Sequence, residues 1–112
     1  QLLAKGWSVF HDVPFHDNPG ARAFNVDRVV VGTGGLFAIE TKARRKRRKI
    51  GGHEVTFTGT RLIYPWGEED WGIQAARQRA RYLSDWLSAQ LASPIAATPV
   101  LALPGWMVHR RG

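Results

Sequence analysis

The sequence contains no cysteine. Disulfide cross-links and zinc–thiolate sites are therefore excluded, and the fold must be held by apolar burial and polar pairing. A cysteine-free chain fits a reducing, intracellular (cytoplasmic) setting. No stretch reaches the roughly 18 consecutive apolar residues of a membrane helix. The most apolar tail, residues 95–108, is broken by Pro99 and Pro104. Signal-peptide and repeat patterns are also missing. The first residue is Gln1 rather than methionine. The 112 residues are thus read as a single domain excised from a longer chain, lacking most of its first helix and open to covalently fused partner domains.

What is present begins with an apolar fraction of 44%, enough for a core. A chain of this length buries roughly two-thirds of its unfolded surface. The net charge of +7 is local. Arg44, Arg45, Lys46, Arg47, Arg48 and Lys49 form an unbroken cationic run; without those six, ten basic residues face nine acidic ones. A concentrated run on a nearly neutral body points to a polyanion, either nucleic acid or an anionic membrane surface.

The pattern along the chain alternates strand, loop and helix. Residues 1–5 read as the last turn of a helix closed by Gly6. Residues 7–13 alternate as a strand, with Trp7, Val9, His11 and Val13 on one face, and Pro14 is expected to end it. Residues 17–20 read as a loop. Residues 26–31 and 36–41 are β-branched, nearly continuous apolar runs joined by Gly32-Thr33-Gly34-Gly35, the signature of a hairpin whose strands are covered on both faces. A second, more exposed hairpin is expected around Thr58-Gly59-Thr60. Pro65-Trp66-Gly67 should break the chain and leave Glu68, Glu69 and Asp70 at a helix N-terminus, where negative charge is favoured. Ile73, Ala76, Ala80, Leu83, Leu87 and Leu91 recur at helical spacing, so residues 71–91 read as an amphipathic helix stopped by Ser93-Pro94. Residues 98–103 form a last short strand.

The first hairpin makes a geometric statement. With a symmetric turn on Thr33 and Gly34, cross-strand partners have numbers that sum to 67. Val31 then faces Leu36, Val29 faces Ala38, and Asp27 faces Glu40. Opposed residues have Cβ atoms about 4.5–5.5 Å apart. Lys42, two residues beyond Glu40, projects from the same face. A three-residue turn would shift the register and separate the group. Two opposed carboxylates repel, and a divalent cation or Lys42 can offset that repulsion. Glu40-Thr41-Lys42 alone reads as an ordinary solvated strand end; Asp27 opposite it makes a site candidate.

Other candidates carry less. His11, His16, His53 and His109 show no metal-ligand spacing and read as ordinary surface or strand residues. Trp66 and Trp71 suit base stacking less well than core or helix-anchor packing. Gln78 and Arg81 fit a solvated helix face, with Gln74 and Arg77 beside them.

The segments Asn25-Val26-Asp27-Arg28-Val29-Val30-Val31-Gly32 and Gly35-Leu36-Phe37-Ala38-Ile39-Glu40-Thr41-Lys42 resemble the nuclease-related domain (NERD) family. So do Ile73-Gln74-Ala75-Ala76-Arg77-Gln78 and the closing Pro99-Val100-Leu101-Ala102-Leu103-Pro104-Gly105. That family is similar in fold to the PD-(D/E)XK nucleases. The resemblance implies an α/β, restriction-endonuclease-like α/β/α sandwich with a mixed central sheet. It also implies Asp27 and Glu40 as ligands of Mg²⁺ or Mn²⁺, the Thr41 carbonyl as a third, Lys42 orienting the attacking water, and Gln74 near the site. Arg28 departs from the family, which often has His after the Asp. A first-helix Glu of the family would precede this chain.

The expected function is metal-dependent hydrolysis of phosphodiester bonds, with DNA favoured over RNA. The basic run and Arg77 would contact the nucleic acid. One alternative is a catalytically idle nucleic-acid-binding module of the same fold. Another is a peripheral membrane or scaffolding domain that uses the basic run.

Overall fold

The computed structural model describes residues 6–15, 24–43 and 52–111. The expected N-terminal helical turn, the 17–20 loop, His16 and the basic run at 44–49 lie outside the described residues. The chain folds in the order β1 (Ser8–Phe15), β2 (Phe24–Gly32), β3 (Gly35–Thr41), β4 (Glu54–Phe57), β5 (Leu62–Tyr64), β6 (Gly67–Glu69), α1 (Trp71–Leu91), β7 (Ala97–Ala102) and β8 (Met107–Arg110). These make two four-stranded sheets, ordered β1-β2-β3-β7 and β6-β5-β4-β8. Each is mixed: β3 pairs parallel with β7, and β4 parallel with β8, while the other pairs are antiparallel. The α/β class holds, and among the described residues there is one helix.

That helix joins two cores. Ala80 and Leu83 bury against Val26, Val29, Leu36 and Ala38 of the first sheet. Ile73, two turns earlier, buries with Val55, Leu62, Tyr64 and Trp106 of the second. The i, i+3, i+4 spacing that marked the helix in sequence is the reason one face can serve both. Two serines tie α1 to the segment that follows it. Ser84 Oγ accepts from the Ala97 amide at 2.8 Å, and Ser88 Oγ from the Ile95 amide at 2.9 Å. β7 is thereby fixed beside β3.

Several expectations are corrected. Pro14 does not end β1, which runs on to pair Pro14 with Asn25 and Phe15 with Phe24. β1 is an edge strand, where a missing N–H can be tolerated. The second hairpin is not the exposed one, since Val55, Leu62 and Tyr64 are its buried members. Glu68 and Glu69 do not open the helix: they form β6, folded back on β5 by a two-residue turn before Gly67 (φ +148°). The first turn of α1 contains no acidic residue. β8 went unforeseen, because its Met107-Val108-His109-Arg110 pattern has no apolar alternation, and all four residues are exposed. The hairpin strands are not sealed on both faces: β3 buries Leu36, Ala38 and Glu40, while Phe37, Ile39 and Thr41 are half-buried.

Strand alternation also fails at one place. Val26 and Val29 both enter the core beneath α1, although residues three apart on a regular strand face opposite ways. The ladder to β1 records His11↔Arg28 and Val13↔Val26, and between them Asp12 adopts a left-handed φ of +52°. β1 and β2 change face together at Asp12 and Asp27.

Leu83 is 1% exposed and sits in the core that seats β2 and β3. Leu83→Ala should lower the unfolding free energy by about 2–5 kcal/mol, measured by urea denaturation. A smaller loss would mean that the helix is not the element holding the first sheet.

Candidate active site

The hairpin keeps the expected register. Gly32↔Gly35, Val31↔Leu36, Val29↔Ala38 and Arg28↔Ile39 all sum to 67. The next pair is Asp27 and Glu40, and there side chains replace the backbone exchange. Glu40 Oε2 accepts the Asp27 amide at 3.1 Å, and Asp27 Oδ2 accepts the Thr41 amide at 2.8 Å. The cause is the change of face at Asp27, which takes the backbone of β2 out of its regular ladder and leaves two amides for the carboxylates to satisfy.

The two acids occupy different environments. Asp27 is exposed, in a shallow hollow with His11, Asp12, Arg28 and Thr41. Glu40 is 3% exposed. Arg79 of α1 meets it, with Nε 2.7 Å from Glu40 Oε1, and the same Nε donates to the Asn25 carbonyl at 3.1 Å. Burial is the largest influence on Glu40 and pushes its pKa above the ordinary value of 4.5. The Asp27 charge pushes the same way, while the Asp27 amide, Arg79 and Lys42 pull it back.

Lys42 continues the strand. Its amide donates to the Ala102 carbonyl at 3.1 Å, and its Nζ lies 5.5 Å from the centroid of the Trp71 ring. N–H and C=O of one strand residue point to the same side. The Thr41 carbonyl therefore points with its amide toward Asp27. The structure thus brings together Asp27, Glu40 and Thr41, with Lys42 close enough for its charge to act on Glu40.

Gln74 and Arg77 line a groove on α1 together with Trp71, the ring that Lys42 approaches. Gln74 is exposed on the outer side of α1, in a groove that includes none of Asp27, Glu40 and Lys42. Arg77 also borders that groove and donates to the Gly59 carbonyl at 3.0 Å. Arg44, Arg45, Lys46, Arg47, Arg48 and Lys49 lie outside the described residues. His109 pairs with Glu54 at 2.7 Å on the second sheet. Among the described residues, no third His, Cys, Asp or Glu joins Asp27 and Glu40 in a cluster able to hold a metal.

Sequence reading missed Arg79. The available signal was its helical phase, at the border of the Ala76–Ala80–Leu83 stripe. The demand for a counter-charge arises only once Glu40 is known to be buried under that border.

An α/β domain with a carboxylate pair and a lysine at the end of a buried hairpin strand defines a class of site. The chain matches the family model of the nuclease-related domain, NERD, over residues 1–104, and it belongs to that family. No curated protein and no solved structure matches it.

The Arg79–Glu40 pair carries a pH signature. A carboxyl group whose pKa is raised on folding binds its proton more tightly in the native state. Glu40 therefore costs stability as pH rises from its ordinary 4.5 through its raised value. Arg79→Met leaves that charge buried without its partner and raises the pKa further. The variant should lose about 1.5–3 kcal/mol at pH 7 and clearly less at pH 4, where Glu40 is protonated. Urea denaturation at both pH values checks this. Equal losses would mean that Arg79 contributes packing rather than charge.

Proposed function

We propose that this domain is a metal-dependent nuclease of the PD-(D/E)XK type, with DNA favoured over RNA as substrate. The observation that carries the reading is the reciprocal exchange between Asp27 and Glu40, which sets two carboxylates and the Thr41 backbone against each other beside Lys42. Membership of a nuclease-related family supports it. So does the mixed sheet with a helix on one face, which suits the core of a restriction-endonuclease-like α/β/α sandwich.

The residues suit a hard cation. Mg²⁺ takes one or two carboxylates and leaves its remaining positions to water and phosphate. Asp27, Glu40 and the Thr41 carbonyl would hold Mg²⁺ or Mn²⁺, and the charge repulsion that now raises the Glu40 pKa would be relieved. When bound, the cation supplies Lewis acidity toward the phosphate and a water of lowered pKa. Lys42 would orient the attacking water and counter the charge that develops on the phosphate. Arg79 and the Asp27 amide hold the Glu40 carboxylate in place. Gln74, in the groove that includes Trp71, would lie near the site, as the family resemblance implies.

One observation favours a second reading. Arg79 already neutralises Glu40 from within the protein, as an idle nucleic-acid-binding module would require. Incubation with single- and double-stranded DNA and RNA, in Mg²⁺, Mn²⁺ or chelator, separates the two. Cleavage that requires the metal supports the nuclease; binding without cleavage in every condition supports the idle module. Glu40→Gln preserves shape and an acceptor for the Asp27 amide. It should reduce cleavage by about 100-fold or more while leaving DNA affinity nearly intact, and Lys42→Met should do the same. Wild-type rates in either purified variant would remove the assignment.

The basic run is proposed as the phosphate contact. Each phosphate neutralised on duplex DNA contributes about −0.9 to the slope of log affinity against log salt. Three or four contacts imply that replacing residues 44–49 with Gln and Ser flattens the slope by roughly three units, for every sequence alike. Binding isotherms from low to moderate salt provide the measurement. An unchanged slope would remove the run from the interface.

A further inference from the structure

The tryptophans divide into those that build the fold and one placed beside the candidate site. Trp106 is buried in the second core, and Trp66 stacks on Tyr64 at 4.7 Å and meets Trp106 edge-on at 5.6 Å. Trp7 packs beside Phe37 at 6.0 Å, over Gly32, where an added Cβ would overlap the indole. Trp86 is exposed five residues before the helix C-terminus. Trp71 belongs to neither core. It is the first residue of α1 and 51% exposed, so the expectation of core packing is met by Trp66 and not by Trp71.

Its position relative to the site is specific. Lys42, the lysine of the Glu-x-Lys strand end, lies over the Trp71 ring. The indole is thus adjacent to the residue assigned to the reacting phosphate. On its other side it opens a groove along the outer helix face that includes Gln74, Arg77, Arg81 and Tyr82. Asp70 and Asp85 also border that groove, so its two arginines are balanced by two aspartates. A duplex is gripped by an excess of positive charge along its phosphates. A charge-balanced groove with an exposed indole and a half-buried tyrosine instead favours the faces of bases. Base faces are hidden within a stacked duplex and are offered only by an unpaired or extruded nucleotide.

We infer that Trp71 is a stacking platform for an unpaired base next to the phosphate held at Lys42, so that the domain prefers single-stranded or frayed nucleic acid over closed duplex. The inference rests on the proposed nuclease reading for the position of the phosphate. It concerns binding, however, and can be tested without turnover. Trp71 is exposed at the first turn of α1, so its replacement removes no core contact.

The test is fluorescence anisotropy with a labelled single-stranded oligodeoxynucleotide and a blunt duplex of the same sequence, in chelator, for wild type, Trp71→Ala and Trp71→Phe. Comparing wild type with variant on each ligand separately cancels the contribution of the basic run, which is unchanged by the substitution. Trp71→Ala should weaken single-strand binding by on the order of tenfold and leave duplex binding nearly unchanged, while Trp71→Phe retains most of the affinity. Equal losses on both ligands, no loss on either, or no single-strand binding by the wild type would overturn the inference. Failure of the nuclease reading is seen separately, as a wild type that cleaves nothing in Mg²⁺ or Mn²⁺ yet still shows the Trp71-dependent preference.

Discussion

Glu40 stands on a central strand, 3% exposed beneath α1, and a carboxylate in that position is stable only with partners. Removing an ionised acid from water costs several kcal/mol even after local relaxation. Two features of the structure meet that cost: the Arg79 guanidinium from the helix and the Asp27 amide from the adjacent strand. Arg79 Nε reaches the Asn25 carbonyl as well, so one side chain ties α1 to both β2 and β3. The placement of the helix over the hairpin follows from this polar tether as much as from Ala80 and Leu83. The same helix extends to the second core through Ile73. The demand of a single buried charge is thereby transmitted to both sheets.

The chemistry of the site follows from an irregularity. If β2 were regular throughout, Asp27 and Glu40 would be an ordinary opposed pair, and the Thr41 amide would find its partner in the ladder. The change of face at Asp12 and Asp27 removes that partner, and the two carboxylates, one exposed and one buried, take up the amides left over. A polar gap results at the end of an otherwise apolar hairpin, with a backbone carbonyl directed into it. The oxygens of Asp27 and Glu40 are held there by backbone amides and by Arg79.

Charge is divided between regions with different tasks. Among the described residues, the carboxylates and Lys42 sit at the strand end, while the outer helix groove balances two arginines against two aspartates. The excess positive charge of the chain belongs to residues 44–49, two positions beyond Lys42. In the proposed nuclease, attraction to a polyanion and positioning of a reactive phosphate would be carried by different side chains. Long-range attraction weakens with salt, whereas hydrogen bonds in a partly buried site are screened much less.

Local patterns in the sequence determined what local physics controls. The Gly32-Thr33-Gly34-Gly35 turn set the hairpin register, and with it the meeting of Asp27 and Glu40, because glycine permits the tight symmetric turn that the flanking β-branched runs require. Helical spacing from Ile73 to Leu91 placed α1 at its observed bounds, because one apolar stripe must face a core. The Glu-x-Lys strand end and its surroundings were enough to indicate the family. Tertiary structure decided the rest. Arg79 became the partner of Glu40 only because packing laid its helix phase over β3, a contact between residues 39 apart in sequence that no local pattern encodes. β8 formed because β4 offered it a parallel edge, although its own residues show no alternation. Glu68 and Glu69 joined a strand rather than a helix start because β5 was there to pair with them. Asp27 Oδ2 came to accept the Thr41 amide because two neighbouring strands changed face together, and that cooperation exists only after they have paired.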